Sequence, residues 1–248
     1  HFTIQIFTCF FILICCFYDS KNMLLRLYPQ YKKQVSDIVQ RCFESEDEIL
    51  IEIGGYTACK IYMLYTELEN IILACDSNSE KQMKAILDMA ITYLKVDDYQ
   101  EKAKNIILAY KNIDKDMNFP LSRIFYDNLV DARQDRIFIK EFIESKAGRR
   151  QINAFIRYLE KNAISLIDYA DIILELCENI LQIKPEELQS QWGIESEVSK
   201  LIISLYDETI NLTISGKKIA DKCLELWDIM FEKQLGSVRE ISRKLMER

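Results

Sequence analysis

Residues 200–248 read KLIISLYDETINLTISGKKIADKCLELWDIMFEKQLGSVREISRKLMER, and this stretch decides the fold. Leu201, Ile202, Leu205 and Ile210 recur at helical spacing. Ile219, Cys223, Leu226, Trp227 and Met230 make a second apolar stripe, with Lys222, Glu225 and Asp228 turned away from it. Ser215-Gly216 marks a break and the start of that second helix. Gly236-Ser237 marks another. Ser237 is the expected N-cap of a last helix, and Glu240, three residues on, completes a capping box. That helix turns Val238, Ile241 and Leu245 inward. It ends in Lys244 and Arg248, the favourable charge for a helix C-terminus.

The same grammar runs back through the chain. Met23, Leu24, Leu27 and Tyr28 predict a helix that stops near Pro29, and Val35, Ile38, Val39, Cys42 and Phe43 predict the next. Ile49–Tyr65 follows, with Gly54-Gly55 inside it. A glycine pair costs helix stability, so it is expected to permit close packing or a kink. Glu67–Cys75 is a short helix, and Asp76–Ser79 is a loop ending in an N-cap. Lys81–Leu94 and Tyr99–Tyr110 repeat the theme, with Asp97-Asp98 between them. Pro120 opens Leu121–Arg133, using Ile124, Phe125, Asn128 and Leu129. Asp135–Ser145 uses Ile137, Phe138, Phe142 and Ile143, and Gly148 is its expected C-cap. Arg149-Arg150 opens a helix with Ile152, Phe155, Ile156 and Leu159 inward. Ser165–Leu181 is long, and Gln189–Glu197 is the last linker.

About twelve helices of about 10 to 17 residues on short polar loops predict antiparallel pairs stacked in order. The fold class is therefore all-α, a degenerate HEAT/TPR-like array or α-solenoid. A compact all-helical bundle is the competing architecture. The expected divisions are an apolar segment 1–20, a helical repeat array 21–190 and a C-terminal cap unit 191–248. Only six glycines and three prolines in 248 residues fit long helices with few tight turns.

Phe2–Tyr18 stands apart: FTIQIFTCFFILICCFY is apolar and carries three of the eight cysteines. Its uninterrupted run from Cys9 is shorter than the roughly 20 residues that a spanning helix needs. It lacks the basic start and small-residue cleavage site of a signal peptide. The sequence begins at His1, so it reads as a fragment or a processed product, and membrane attachment is not the favoured reading.

Chemistry is scarce. His1 is the only histidine, which argues against histidine-based nucleophilic catalysis. No CxxC pair is present, and Cys42, Cys59, Cys75, Cys177 and Cys223 fall on apolar stripes as structural thiols. No metal site, cofactor or catalytic residue is expected. Gly54-Gly55 has no Lys-Ser/Thr behind it at phosphate-loop spacing. Asp168 with Asp171 reads as a solvated face. The net charge of -7 and the scattered basic pairs argue against nucleic acid. The candidate partner-binding surface comprises Tyr31, Tyr99, Arg149, Arg150 and Trp192, each weighed against ordinary packing between helices.

Leu205-Tyr206, then Cys223–Phe231 (CLELWDIMF), then Gly236 and a basic final helix resemble the C-terminal end of large bacterial STAND/NACHT-type ATP-binding proteins linked to antiphage defence. Leu24–Tyr28 and Phe155–Leu174 are similar to further segments of their helical regions. The resemblance implies a cytoplasmic sensor module that docks a protein partner, a foreign or phage protein among the options, and an upstream ATPase domain in the same chain. It carries over no catalytic residue. The residues alone leave two alternatives open: a freestanding helical scaffold, and a membrane-anchored helical domain.

Overall fold

The computed structural model describes residues 17–73, 79–112, 118–183, 194–210, 214–233 and 235. Among them are thirteen α-helices, two 3-10 turns and no strand, so the chain is all-α. The expected last helix with Ser237 and Glu240, the loop residues 76–78 and nearly all of Phe2–Tyr18 lie outside the described residues. Two compact units divide the chain, 1–120 and 121–248.

The first unit holds α1 (Phe17–Leu27), α2 (Lys32–Phe43), α3 (Glu48–Tyr65), α4 (Glu69–Leu73), α5 (Glu80–Tyr93) and α6 (Gln100–Ala109), with a 3-10 turn at Asp97–Tyr99. Its centre is α3, EILIEIGGYTACKIYMLY, which is apolar almost all round and therefore buried on several sides. It packs against α1, α2, α4 and α5. Asp47 caps its start by accepting from the backbone N–H groups of Ile49 and Leu50 at 2.9 and 3.1 Å. Its far end is closed from α6. The Lys102 ammonium donates to the Tyr62 and Met63 carbonyls at 3.2 and 2.8 Å and to Thr66 Oγ1 at 2.7 Å. A cation there also meets the negative end of the helix dipole.

The glycine pair serves close packing. A Cβ on Gly54 would lie 2.6 Å from the backbone nitrogen of Phe43, and one on Gly55 would lie 2.8 Å from Ala85 Cβ. Both α2 and α5 therefore approach the bare backbone of α3.

Alternate helices run in the same direction. Glu48 meets Lys81 at 3.6 Å near the starts of α3 and α5, and Cys59 Sγ meets the Ile86 carbonyl farther along both. Lys21 of α1 meets Glu52, while Tyr28, just past α1, donates to Glu67, just past α3, at 2.6 Å.

The second unit opens within α7 (Asn118–Tyr126). It continues with α8 (Arg136–Ile143), α9 (Lys146–Arg149), α10 (Ile152–Lys161), a 3-10 turn at Leu166–Tyr169, α11 (Ala170–Leu181), α12 (Ile194–Thr209) and α13 (Ile214–Glu232). The same-direction rule recurs. Arg136 meets Asp171 at 2.5 Å and Lys140 meets Glu175 at 3.0 Å, which aligns α8 with α11. Lys222 meets Glu178 at 2.6 Å, and Lys233 caps the Leu181 and Ile183 carbonyls, which aligns α13 with α11. Phe125 lies 5.3 Å from Phe155, and Asn128 accepts from Asn162 at 3.1 Å, which aligns α7 with α10. The core here is aromatic: Phe125, Phe142, Phe155, Tyr158 and Tyr169 are all buried. Tyr158 donates to the Val130 carbonyl at 3.0 Å and Tyr169 to that of Ala132, so two core phenols fix the loop after α7.

The structure corrects several local expectations. The helix expected to reach Arg133 ends at Tyr126, because Asn128 takes a left-handed φ of 50° and Asp131 then folds the chain onto Arg133 N and Gln134 N. Gly148 is not a C-cap. It sits inside α9, where a Cβ would lie 1.8 Å from the Phe142 carbonyl oxygen. Ile137 and Ile210 face outward, at 83% and 53% exposure, and Ile139 takes the inward place in α8. The final linker was expected to run to Glu197, but α12 already begins at Ile194, and Ser215-Gly216 lies within the first turn of α13.

Two predictions follow from this packing. Gly54→Ala gains about 1 kcal/mol of helix propensity but loses about 1–3 kcal/mol to overpacking against Phe43. The urea midpoint should fall, whereas Asn105→Ala on the exposed side of α6 should not lower it; a Gly54→Ala protein as stable as its parent would contradict the close approach. The second concerns alkaline pH. Burial pushes the Cys42 thiol up to about 11 and the Cys223 thiol to about 12, from an ordinary 9.0. It pushes the Tyr158 and Tyr169 phenols from 10.0 up to about 12. The folded protein holds these protons more tightly than the unfolded chain does. Their contribution is therefore complete below about pH 9 and is lost as the pH rises towards about 12. Denaturation midpoints measured across that window should fall steadily; a flat profile would contradict the burial.

Candidate functional site

Because α3 and α5 run in the same direction, their N-terminal ends open side by side. A groove of about 750 Å³ lies there, lined by Glu48 and Glu52 of α3 and by Glu80, Lys81, Lys84 and Asp88 of α5, with Ile51 and Ala85 at its floor. Ser79 borders it and caps α5 by accepting from Gln82 N at 3.4 Å. Charges of both signs face each other across it. Glu48 pairs with Lys81 across it, while Glu52 pairs at 2.8 Å with Lys21 of α1, which does not line the groove. Among the described residues no group of three His, Cys, Asp or Glu is placed to hold a metal ion.

Glu48, Glu52, Tyr56 and Lys60 follow one another at four-residue steps, so the stripe of α3 that lines the groove continues into an aromatic and cationic patch. The Lys21 ammonium stands 4.8 Å from the centre of the Tyr56 ring, and Lys60 stands 5.5 Å from it. Lys60 also donates to the Tyr56 hydroxyl at 3.2 Å. Tyr93 lies near this group. Burial raises its phenol pKa, and the Lys60 charge opposes the rise. Tyr99 meets Tyr93 edge-on at 5.5 Å. Three half-buried tyrosines and two lysines thus share one neighbourhood. Aromatic rings over fixed cations supply contact area with little conformational entropy to lose, which suits protein recognition.

Of the residues singled out from sequence, Tyr99 belongs to this patch. Tyr31 is half-buried at the start of α2, and its side chain makes no capping bond there. Arg149 and Arg150 are half-buried in the second unit, where Arg149 Nε donates to the Glu144 carbonyl at 3.2 Å. Trp192 lies outside the described residues. Tyr56, Lys60 and Tyr93 were not singled out. The four-residue stripe on α3 is the signal that points to the first two, while Tyr93 joins only through tertiary packing. Asp171, read as part of a solvated face, is exposed but bound by Arg136.

The described cysteines Cys42, Cys59, Cys177 and Cys223 are buried free thiols. Burial raises the pKa of Cys177 as well, and a thiol held protonated is a poor nucleophile. Among the described residues no helix is long and apolar enough to cross a membrane.

No protein-family model, curated protein or solved structure matches the chain.

Proposed function

We propose that this chain is a helical-repeat module that recognises a protein partner and makes or breaks no bond itself. One observation carries the reading. The tertiary hydrogen bonds described above join residues 27 to 52 positions apart, and within each unit helices two or three steps apart run in the same direction. Those separations bracket the repeat lengths of TPR-like and HEAT-like arrays, about 34 to 47 residues, which supports the reading. Such arrays present extended surfaces for binding. The patch of Tyr56, Lys60, Tyr93 and Tyr99, continuous with the groove at the start of α3, is the recognition surface in this reading.

In keeping with the resemblance to STAND/NACHT-type proteins, the module serves as the cytoplasmic sensor region of a larger ATP-binding protein. Partner docking supplies the free energy, and nucleotide chemistry resides in an upstream domain. No cofactor or metal is required of the residues here.

A photo-reactive amino acid at position 99, in the full chain inside its source cells, tests the recognition surface. One protein partner should be captured there, not from position 41 on α2, and capture should fall about tenfold with Lys60→Glu. Equal capture from both positions would contradict the assignment. The upstream domain has its own test in the genomic sequence before codon 1. An in-frame GxxxxGK[ST] is expected, and a start codon immediately before His1 would remove the ATPase from the account while leaving the recognition surface to stand.

A further inference from the structure

The outer face of α13 carries chemistry that internal packing uses only in part. Asp221, Glu225, Asp228 and Glu232 recur at steps of four, three and four residues, so they form one exposed acidic row along the helix. Phe231, 67% exposed, and Leu224, 38% exposed, border the row on one side. Half-buried Trp227 lies between them in sequence and connects this border to the core stripe. On the other border Lys222 pairs with Glu178 of α11 at 2.6 Å and also with Glu225 of the row at 3.1 Å. The acidic row runs into the C-terminal half of α13, where the helix dipole disfavours anions, and the last turn holds no basic residue. Phe231 is therefore exposed beside Asp228 and Glu232, two carboxylates in the half of the helix where its dipole disfavours anions. A cationic partner would relieve both.

We infer that this face of α13 docks an amphipathic helix of a protein partner, one whose apolar stripe is bordered by lysine or arginine. The stripe covers Leu224 and Phe231, and the cations lie over the acidic row. Charge selects the occupant. A second copy of the same face would set acidic row against acidic row, which disfavours a symmetric pair through this surface. The surface is separate from the tyrosine patch on α3 and stands without it.

The test uses the full chain with Trp192→Phe, so that Trp227 is the fluorescent reporter. The probes are a synthetic fifteen-residue leucine-lysine amphipathic helix and the same peptide with glutamate in place of lysine. The lysine peptide should shift Trp227 emission to the blue and bind about tenfold or more tighter than its acidic counterpart. Its affinity should fall as salt is raised. Phe231→Asp, and separately Asp228→Lys with Glu232→Lys, should each weaken binding by about tenfold. These positions are exposed, so the circular dichroism spectrum should be retained. Binding that ignores both sets of substitutions, or no binding, would overturn the inference. Arg239→Glu with Arg243→Glu in the full chain separates one more case. A tenfold gain in peptide affinity would mean that the chain's own residues 237–248 cover this face, and would also overturn it.

Discussion

A helix of ten to nineteen residues has no way to shield its own apolar stripe from water. Within each unit the described helices therefore depend on the helix beside them and on one two or three steps along. In the first unit the constraint is tightest at α3, whose stripe widens to nearly the whole circumference. Two glycines let α2 and α5 approach its backbone, and Lys102 closes the carbonyls at its end. The second unit meets the same demand with aromatic rings. Phe125, Phe142 and Phe155 fill the space, and Tyr158 and Tyr169 also fasten the loop that a short α7 leaves behind.

From this constraint the functional reading follows. Helices that run in the same direction bring their N-terminal ends together, and between α3 and α5 that produces a groove bordered by paired charges. Successive stripe residues then lead from carboxylates to Tyr56 and Lys60. Nothing along the path resembles a nucleophile with its base, and the buried thiols are held protonated. In the proposed reading the surface holds another protein. The acidic row of α13 is proposed as a second surface of the same broad type with a different preference. Where the patch around Tyr56 offers rings and ammonium groups, α13 offers carboxylates beside one exposed phenylalanine.

Much of the fold was legible because apolar spacing dictates helices. The inward residues Met83, Ile86, Leu87, Ala90 and Leu94, and later Cys223, Leu226 and Met230, are buried as their periodicity requires. Ser79 caps α5 as its place at the end of a polar loop predicts. The expectations that failed concern residues whose roles are set by partners distant in sequence. Gly148 looks like a helix terminator by itself, and only the Phe142 carbonyl explains it. Ile137 and Ile210 look inward by composition, and only the places of neighbouring helices leave them outside. At the candidate site, Tyr99 was visible as an aromatic beside a polar turn. Tyr93 was not, because its neighbours Lys60 and Tyr56 lie more than thirty residues earlier in the sequence.

Stacking in order is the claim from which the rest derives, and a zero-length carbodiimide cross-linker tests it most directly. The reagent joins only amines and carboxylates already in contact. The account predicts the links Lys21–Glu52, Lys32–Glu67, Lys140–Glu175 and Lys222–Glu178, which all join neighbouring pairs of helices. Abundant links within one unit between its first and last helices, such as α1 with α6, would show a bundle closed on itself and would contradict it.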